Sequence, residues 1–241
     1  MRYVEQITKQ LTELADPEIA QHSQRFFKTG DGEYGANDQF LGIRVPILRQ
    51  TVKQFKDVTL DDALALLKSE YHEVRLCAIY FLVALFERAS ATSNPNYQQQ
   101  KLIVNAYLAN TKYINNWDLV DSSAHKILGK YLLDKDRTIL HTMSFSNDLW
   151  EKRISMMATY TFIKENQFAD TFRIAETLLN DNHDLIHKIV GWMLREVGNQ
   201  NKAAEEGFLL LHYKKMPRTM LRYAIEKFSK EERTAYLKGF L

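Results

Sequence analysis

An indole and two carboxylates stand close together at residues 116–121, which read NWDLVD. Asparagine is a preferred helix N-cap, so this stretch predicts a helix that starts near Asn116. In such a helix Trp117 and Asp121 lie one turn apart, at the margin of an apolar side. A carboxylate can stabilise a developing positive charge, and the face of an indole attracts cations. These two side chains are the first candidates for chemistry in the chain.

The two acids of this stretch differ in what explains them. Asp118 falls in the first turn, where a carboxylate complements the helix dipole. Asp121 lies one turn further in and gains little from that dipole. Two explanations of Asp121 stay open: an ion pair with a basic residue of the next helix, or a functional site. Both are known to place acids at such positions.

The rest of the chain supplies helices that position these side chains. Only nine glycines and four prolines occur in 241 residues, which favours helices joined by short turns. Hydrophobic periodicity, caps and breakers predict an all-α protein, with helices at residues 2–15, 17–28, 46–55, 60–68, 71–89, 97–109, 116–133, 137–143, 149–165, 168–179, 184–197, 203–213, 217–228 and 230–240. Three glycines between residues 29 and 38 predict a loop or a short hairpin there.

In successive helix pairs the second helices share one sequence pattern, which consists of a polar start, a central basic residue and an apolar run. Taking five positions as equivalent places them 32 to 46 residues apart, at Arg75, Asp121, Arg153, Lys188 and Arg222. Helix-pair repeats of this length predict an α-solenoid of HEAT-like repeats, with residues 1–241 in a single domain. The stacked second helices would align the five side chains on one concave face.

Two further side chains lie away from the predicted core. On the helix at 184–197, Trp192 sits beside a polar stripe, where it either lines a functional surface or packs against the neighbouring repeat. Gly191, next to it, allows a close approach to the backbone. Arg153 has two compatible interpretations, since its guanidinium can reach a phosphate or pair with Asp121.

Composition excludes several classes of site. Cys77 is the only cysteine, which excludes internal disulfides and a cysteine-rich metal site and favours a reducing compartment. The longest apolar run, residues 76–86, falls short of the roughly 20 residues that span a bilayer, and no apolar signal region is present. We therefore expect a cytoplasmic protein that does not enter membranes. His183 and His187 have a zinc-binding spacing but no third ligand, so no metal or cofactor is expected.

Charge is concentrated towards the end of the chain. The formal net charge is +2, yet residues 186–241 carry eleven Lys or Arg against six Asp or Glu. A basic end on a near-neutral protein is compatible with a polyanionic partner. It is equally compatible with solvated helix faces.

Four segments, in this order, resemble motifs of the AlkD family, the bacterial alkylpurine DNA glycosylases built from HEAT-like repeats. They are residues 40–46 (FLGIRVP), 116–121 (NWDLVD), 150–153 (WEKR) and 188–196 (KIVGWMLRE). The similarity extends from about residue 20 to residue 228. The resemblance implies a C-shaped α-solenoid that holds duplex DNA against a basic concave face.

The resemblance also implies an activity and its residues. Family members excise N3- and N7-alkylated purines from duplex DNA and leave an abasic site, without flipping the base. They need no metal or cofactor, and a monomer is expected. By the family pattern the catalytic aspartate is Asp121, the two cleft tryptophans are Trp117 and Trp192, and the cleft arginine is Arg153.

Other side chains are expected to bind DNA without taking part in the reaction. These candidates are Arg75, Lys152, Lys188, Arg195, Arg218, Arg222 and Phe26. Phe26 stands where the family often has a tyrosine, so one hydroxyl is lost. The stretch at residues 29–38 is longer than in the best-known members and is expected near the DNA. Two alternatives remain: a non-catalytic DNA-binding relative of the same fold, and a HEAT-type scaffold that binds a protein.

Overall fold

Capping residues set many of the helix boundaries in the computed structural model, which describes residues 2–240. Asp16 caps α2 through its side chain, and Thr59 and Ser229 form capping boxes at α4 and α14. The helices are α1 (Arg2–Glu13), α2 (Pro17–Phe26), α3 (Val45–Gln54), α4 (Leu60–Leu66), α5 (His72–Ala89), α6 (Tyr97–Ala109), α7 (Trp117–Ala124), α8 (Thr138–Ser144), α9 (Leu149–Lys164), α10 (Ala169–Leu178), α11 (Asp184–Gln200), α12 (Lys202–His212), α13 (Arg218–Ala224) and α14 (Lys230–Lys238). Residues 2–240 contain no β-strand, so the predicted all-α class is confirmed.

The first compact unit, Met1–Ser123, is built around α5. Helices α3, α4 and α6 pack against α5, and α1 packs against α4. Most side chains of α5 are buried in consequence, including the charged His72, Glu73 and Arg75 at its start. Charged groups that are buried in this way need hydrogen-bonding or charged partners.

A long loop joins α2 to α3 and includes the glycine-containing stretch at residues 29–38. The predicted loop is present, but no hairpin forms, because the one backbone bridge there is an isolated parallel pair between Gln39 and Tyr71. The Glu73 carboxylate accepts hydrogen bonds from the backbone N–H groups of residues 41, 42 and 43. Gly42 has a positive φ of 82°, and a Cβ there would lie 2.0 Å from the Asp16 carbonyl oxygen. The loop is therefore bound to α5 along its second half.

The second compact unit, Ala124–Leu241, stacks alternate helices in series. Helix α9 packs against α11, and α11 packs against α13. Helix α8 packs on α9 and α10, while α10 and α12 pack on α11. Such serial packing of helix pairs is the arrangement of an α-solenoid. The boundary between the two units falls within α7. The single domain over residues 1–241 stays a prediction.

One predicted helix is interrupted. The sequence predicts a continuous helix over residues 116–133, but α7 passes into a π-helical turn at His125–Gly129. The wider turn shifts the later positions around the axis, and beyond it Leu132 is buried while Tyr131 is half-exposed. Thr161 of α9 donates a 2.6 Å hydrogen bond to the His125 carbonyl oxygen and so fixes this turn.

The helices are too short or too polar to span a membrane. Within residues 2–240, none is both long and apolar enough to cross a bilayer.

Candidate functional site

Helix α7 presents Trp117 and Asp121 at the edge of the first unit. The Asn116 side chain accepts the Trp117 N–H at 2.8 Å, so the helix begins within one residue of the predicted start. Leu119 and Val120 are fully buried beneath it. Trp117 and Asp121 are half-buried, one turn apart. The predicted pair is therefore anchored from below and partly open to solvent.

Two phenylalanines surround the Trp117 indole. Phe27 stacks on it with ring centres 5.2 Å apart and an interplanar angle of 17°. Phe26 meets it edge to face at 5.9 Å and is itself 58% exposed. Each such ring pair contributes about 1 kcal/mol beyond its buried area. The resemblance singled out Phe26 as a DNA contact and did not single out Phe27, whose ring covers one face of the indole.

The charge of the Asp121 carboxylate affects the pKa of a buried tyrosine in the first unit. Burial raises the pKa of the Tyr107 hydroxyl, and the negative charge of Asp121 raises it further. The Tyr107 hydroxyl is hydrogen-bonded to Ser123 at 2.8 Å, and Ser123 donates to the Leu119 carbonyl. Tyr107 therefore remains a neutral phenol under the segment that carries the acid.

A buried histidine lies behind α7. His72 Nε2 is 2.8 Å from Asp118 Oδ2, and His72 Nδ1 is 2.9 Å from Asp38 Oδ2. Burial alone would lower the pKa of His72, but the charges and hydrogen bonds of Asp118 and Asp38 outweigh it and raise the pKa to about 9. Asp118 is thus more than a partner of the helix dipole.

Arg75 lies in the same cluster and not on an open face. Its side chain is 5% exposed, its Nη2 donates to Asp38, and its Nη1 donates to the carbonyl oxygens of Ser69 and Glu70. The prediction that Arg75 contacts DNA is not supported by this geometry, because a guanidinium used in this way has little surface left for a phosphate. Burial alone would raise the pKa of Asp38, but His72 and Arg75 lower it.

The remaining catalytic candidates belong to the second unit. Arg153, on α9, is 5% exposed and donates from Nη1 to the Leu185 carbonyl oxygen at 2.8 Å. Trp192, on α11, is half-buried and donates from Nε1 to Glu196 at 3.1 Å. Glu196 is also bound by Lys164 at 3.2 Å. Both predicted side chains are therefore fixed in orientation by hydrogen bonds within this unit.

Gly191 has a structural partner. A Cβ at this position would lie 2.4 Å from the Met220 carbonyl oxygen and 2.5 Å from the Tyr223 Cβ. The close approach that the sequence allowed at Gly191 is therefore made by α13.

The sequence profile of the DNA alkylation repair enzymes matches residues 7–228. The chain belongs to the DNA alkylation repair enzyme family. The family predicted from the four motifs is thereby confirmed. Among solved structures, the chain is similar to a predicted DNA alkylation repair enzyme from Enterococcus faecalis, with 16% identity and a TM-score of 0.66 over 90% of this chain and 97% of that chain. At this identity the likeness shows a shared fold. No curated protein matches the sequence significantly.

The basic side chains of this family member differ in how far they are neutralised. Lys152 pairs with Asp181 at 2.7 Å, Lys188 with Asp184 at 2.6 Å, and Arg195 with Glu226. Arg218 is exposed and donates to the Leu237 carbonyl at 2.7 Å, and Arg222 is exposed on α13. The most open of the basic side chains predicted to contact DNA are therefore Arg218 and Arg222.

The histidine pair of the second unit has structural partners. His183 Nδ1 accepts the Leu185 N–H at 3.1 Å, and burial lowers the pKa of His183. His187 Nε2 lies 2.6 Å from the Asp181 carbonyl oxygen. Across residues 2–240, no cluster of His, Cys, Asp and Glu has a geometry that could hold a metal ion.

His72, Asp38 and Phe27 are the site residues that sequence reasoning missed. A histidine at the start of a helix with an apolar run is a pattern that calls for buried polar partners. The pattern cannot name those partners, because Asp38 is 34 residues and Asp118 is 46 residues away.

Proposed function

We propose that the protein is a DNA glycosylase that hydrolyses the N-glycosidic bond of N3- and N7-alkylated purines in duplex DNA, leaving an abasic site. The observation that carries this proposal is the arrangement of α7, where a half-exposed indole and a half-exposed carboxylate stand one turn apart. It occurs in a chain of the DNA alkylation repair enzyme family. The proposed enzyme acts as a monomer and without a cofactor.

The chemistry of these lesions suits a single carboxylate. An N3- or N7-alkylated purine already carries a positive charge, so it leaves as a neutral base and needs no general acid. Positive charge then develops on the deoxyribose, as in glycoside hydrolysis. The Asp121 carboxylate stabilises that charge and orients the attacking water.

Aromatic rings complete the proposed environment of the sugar. The open side of the Trp117 indole attracts the cation. Trp192, in the second unit, is proposed to contact the DNA. Phe27 holds the Trp117 ring in place by stacking on it. No step needs the nucleotide to rotate out of the helix before the glycosidic bond breaks, so we propose excision without base flipping.

The basic side chains bind the phosphates in this proposal. Exposed Arg218 and Arg222 supply salt-dependent affinity for DNA. Three further side chains, Lys152, Lys188 and Arg195, contact phosphates when each releases its carboxylate partner and binds a phosphate in its place. Arg153 is proposed to hold a phosphate. Because it is 5% exposed, its guanidinium must turn away from the Leu185 carbonyl to reach one. Arg75 is not among the proposed contacts.

The decisive experiment is release of 7-methylguanine and 3-methyladenine from methylated duplex DNA, with wild type beside Asp121→Asn. Free bases are measured by mass spectrometry, and spontaneous loss is subtracted from a protein-free sample. Asp121→Asn should bind the duplex as tightly as wild type and excise about 100- to 1,000-fold more slowly, because it loses only stabilisation of the transition state. The matched control is Asp134→Asn, an 80% exposed acid paired with Lys135, which should excise normally.

The outcomes separate the alternatives. Full excision by Asp121→Asn would make Asp121 structural and reject the mechanism. Retained duplex binding with no release by wild type would identify a non-catalytic DNA-binding relative. Absence of salt-dependent duplex binding would identify a protein scaffold.

A further inference from the structure

His72 lies between two carboxylates, and this arrangement favours a proton on each ring nitrogen. Its side chain is 2% exposed, and each ring nitrogen lies within 2.9 Å of a carboxylate oxygen. A neutral imidazole donates from one nitrogen only, so the other lone pair would face an anionic oxygen. The geometry is therefore that of an imidazolium between Asp38 and Asp118. In this cluster Arg75 supplies the second positive charge, so two cations meet two anions.

The two carboxylates belong to different parts of the first unit. Asp38 is at the end of the glycine-containing loop, and its side chain is 5% exposed. Asp118 is the second residue of α7, with a side chain 15% exposed. The backbone of His72 reinforces the link, since its N–H donates to the Gln39 carbonyl oxygen at 2.8 Å. The imidazolium thus joins the loop, α5 and α7 at one point.

Ring contacts run through the same point to the candidate site. The Phe27 ring lies 4.8 Å from the imidazole of His72 and 5.2 Å from the Trp117 indole. Phe40 stacks on His72 at 4.6 Å and on Phe27 at 5.1 Å. Asp118 directly follows Trp117 in the chain. The orientation of the indole is therefore tied to His72 through both the backbone and the rings.

We propose that His72 is a positioning residue, whose imidazolium clamps Asp38 of the loop and Asp118 of α7 and so holds Trp117 and Asp121 in the orientation that excision needs. The inference rests on the proposed glycosylase function for its catalytic part. It also gives the 29–38 loop a structural role, because the loop supplies Asp38 to the clamp and buttresses α7 from inside the first unit.

A direct catalytic role for His72 is incompatible with its surroundings. Phe27 and Phe40 cover the ring, and the two carboxylates occupy both nitrogens. Neither nitrogen can reach a substrate atom or a water in the open part of the site. His72 acts through Asp118, and its effect on the reaction passes through α7.

The first experiment detects the clamp without any enzymatic readout. Long-range ¹H–¹⁵N spectra of the full chain follow the His72 ring as pH rises, and the resonance is assigned by its loss in His72→Gln. Both nitrogens should stay protonated at about pH 8, with a midpoint near 9, and Asp118→Asn should lower that midpoint by at least about one unit. A wild-type midpoint at or below the ordinary 6.5 would overturn the proposal.

The second experiment measures single-turnover excision and duplex affinity as functions of pH. Asp118→Asn keeps an oxygen that accepts from protonated His72 but removes the charge that keeps His72 protonated. At about pH 8 it should excise about 10- to 100-fold more slowly than wild type with duplex affinity within about twofold, and the ratio should shrink towards about pH 6. A purely structural role of Asp118 gives a ratio that does not change with pH, and this result, like full activity at every pH, would overturn the proposal.

A matched control exists in the second unit. Asp170 of α10 pairs with His141 at 2.9 Å and Arg137 at 2.7 Å, so it also joins a histidine and an arginine, and neither partner belongs to α7. Asp170→Asn should leave the excision rate and its pH dependence unchanged. If wild type releases no base, the proposed function fails while the ring spectra still decide the clamp. If wild type is active and Asp118→Asn matches it, only the clamp fails.

Discussion

Asp118 Oδ2 lies 2.8 Å from Nε2 of the buried His72 and is thereby held on the inner side of α7. The residue before it, Trp117, has its indole on the outer edge, stacked on Phe27. One helical turn later comes Asp121, which is half-buried. The same short helix therefore has an inner acid that fixes its position and an outer acid that a ligand can reach in the proposed reaction. The two side chains are chemically identical, and what distinguishes Asp118 is its contact with His72.

Stability should fall as pH rises past neutrality because of His72. Its pKa is about 9 in the folded protein against an ordinary value of 6.5, so its contribution is fully present below pH 6.5 and is lost as pH rises through about 9. The contribution is on the order of 3 kcal/mol. Urea unfolding of wild type and Asp118→Asn across this range measures it: the difference between the two should be largest near pH 6.5 and smallest above 9. A difference that is independent of pH would contradict the prediction.

Glu205 should weaken the fold once it ionises. It is 1% exposed against Gly198, and its Oε1 has no hydrogen-bond partner among the described residues. Burial, and then the charge of Glu206, raise the pKa of Glu205 to about 8 from 4.5. Its contribution to stability is therefore greatest below pH 4.5 and is lost as pH rises through about 8. Glu205→Gln should be more stable than wild type at alkaline pH, measured by urea unfolding.

The neighbouring acid is the control for Glu205. Glu206 is 37% exposed and pairs with Lys202 at 3.6 Å. Glu206→Gln should keep most of the alkaline loss of stability that Glu205→Gln removes, because burial is the larger cause of the raised pKa of Glu205. Equal slopes of stability against pH in wild type and Glu205→Gln would show that Glu205 is ionised in the folded protein at neutral pH.

Gly191→Ala should destabilise the second unit. The added methyl would lie 2.4 Å from the Met220 carbonyl oxygen, so α11 and α13 must move apart at a cost of about 1–3 kcal/mol. The control is Gly207→Ala in α12, where a Cβ meets nothing within 4 Å and the better helix former should stabilise by up to about 1 kcal/mol. Thermal unfolding distinguishes the two. An unchanged midpoint for Gly191→Ala would mean that the helices adjust freely at this contact.

Arg222→Ala should weaken duplex binding through phosphate contact alone. Affinity is expected to fall for any sequence, and the slope of log affinity against log salt should decrease by about 1. Titrations of a labelled duplex at several salt concentrations measure both. Lys9→Ala is the control, because Lys9 is 78% exposed and pairs with Glu13 on α1. An equal change of slope in both variants would place the effect in overall charge and remove Arg222 from the proposed DNA contacts.

Helix positions and the anchoring of Trp117 were accessible from local patterns. Asn116 marked the start of α7, and the periodicity of the later helices identified their buried sides, as in α11, where Ile186, Ile189 and Met193 are fully buried. The π-helical turn after α7 was not accessible. It depends on a hydrogen bond from Thr161, 36 residues away, to the His125 carbonyl.

The sequence by itself determined the all-α class and most helix boundaries, because capping and hydrophobic periodicity act over a few residues. The resemblance of four short motifs indicated the family, which the profile match confirms. The tertiary structure decided which charges are buried and with whom they pair. Arg75 looked like a member of a basic column, yet it binds Asp38 behind α7. Asp118 looked like a helix-dipole partner, yet it meets His72, 46 residues earlier in the chain. Ion pairing in a low-dielectric interior depends on distances that only the packed helices set.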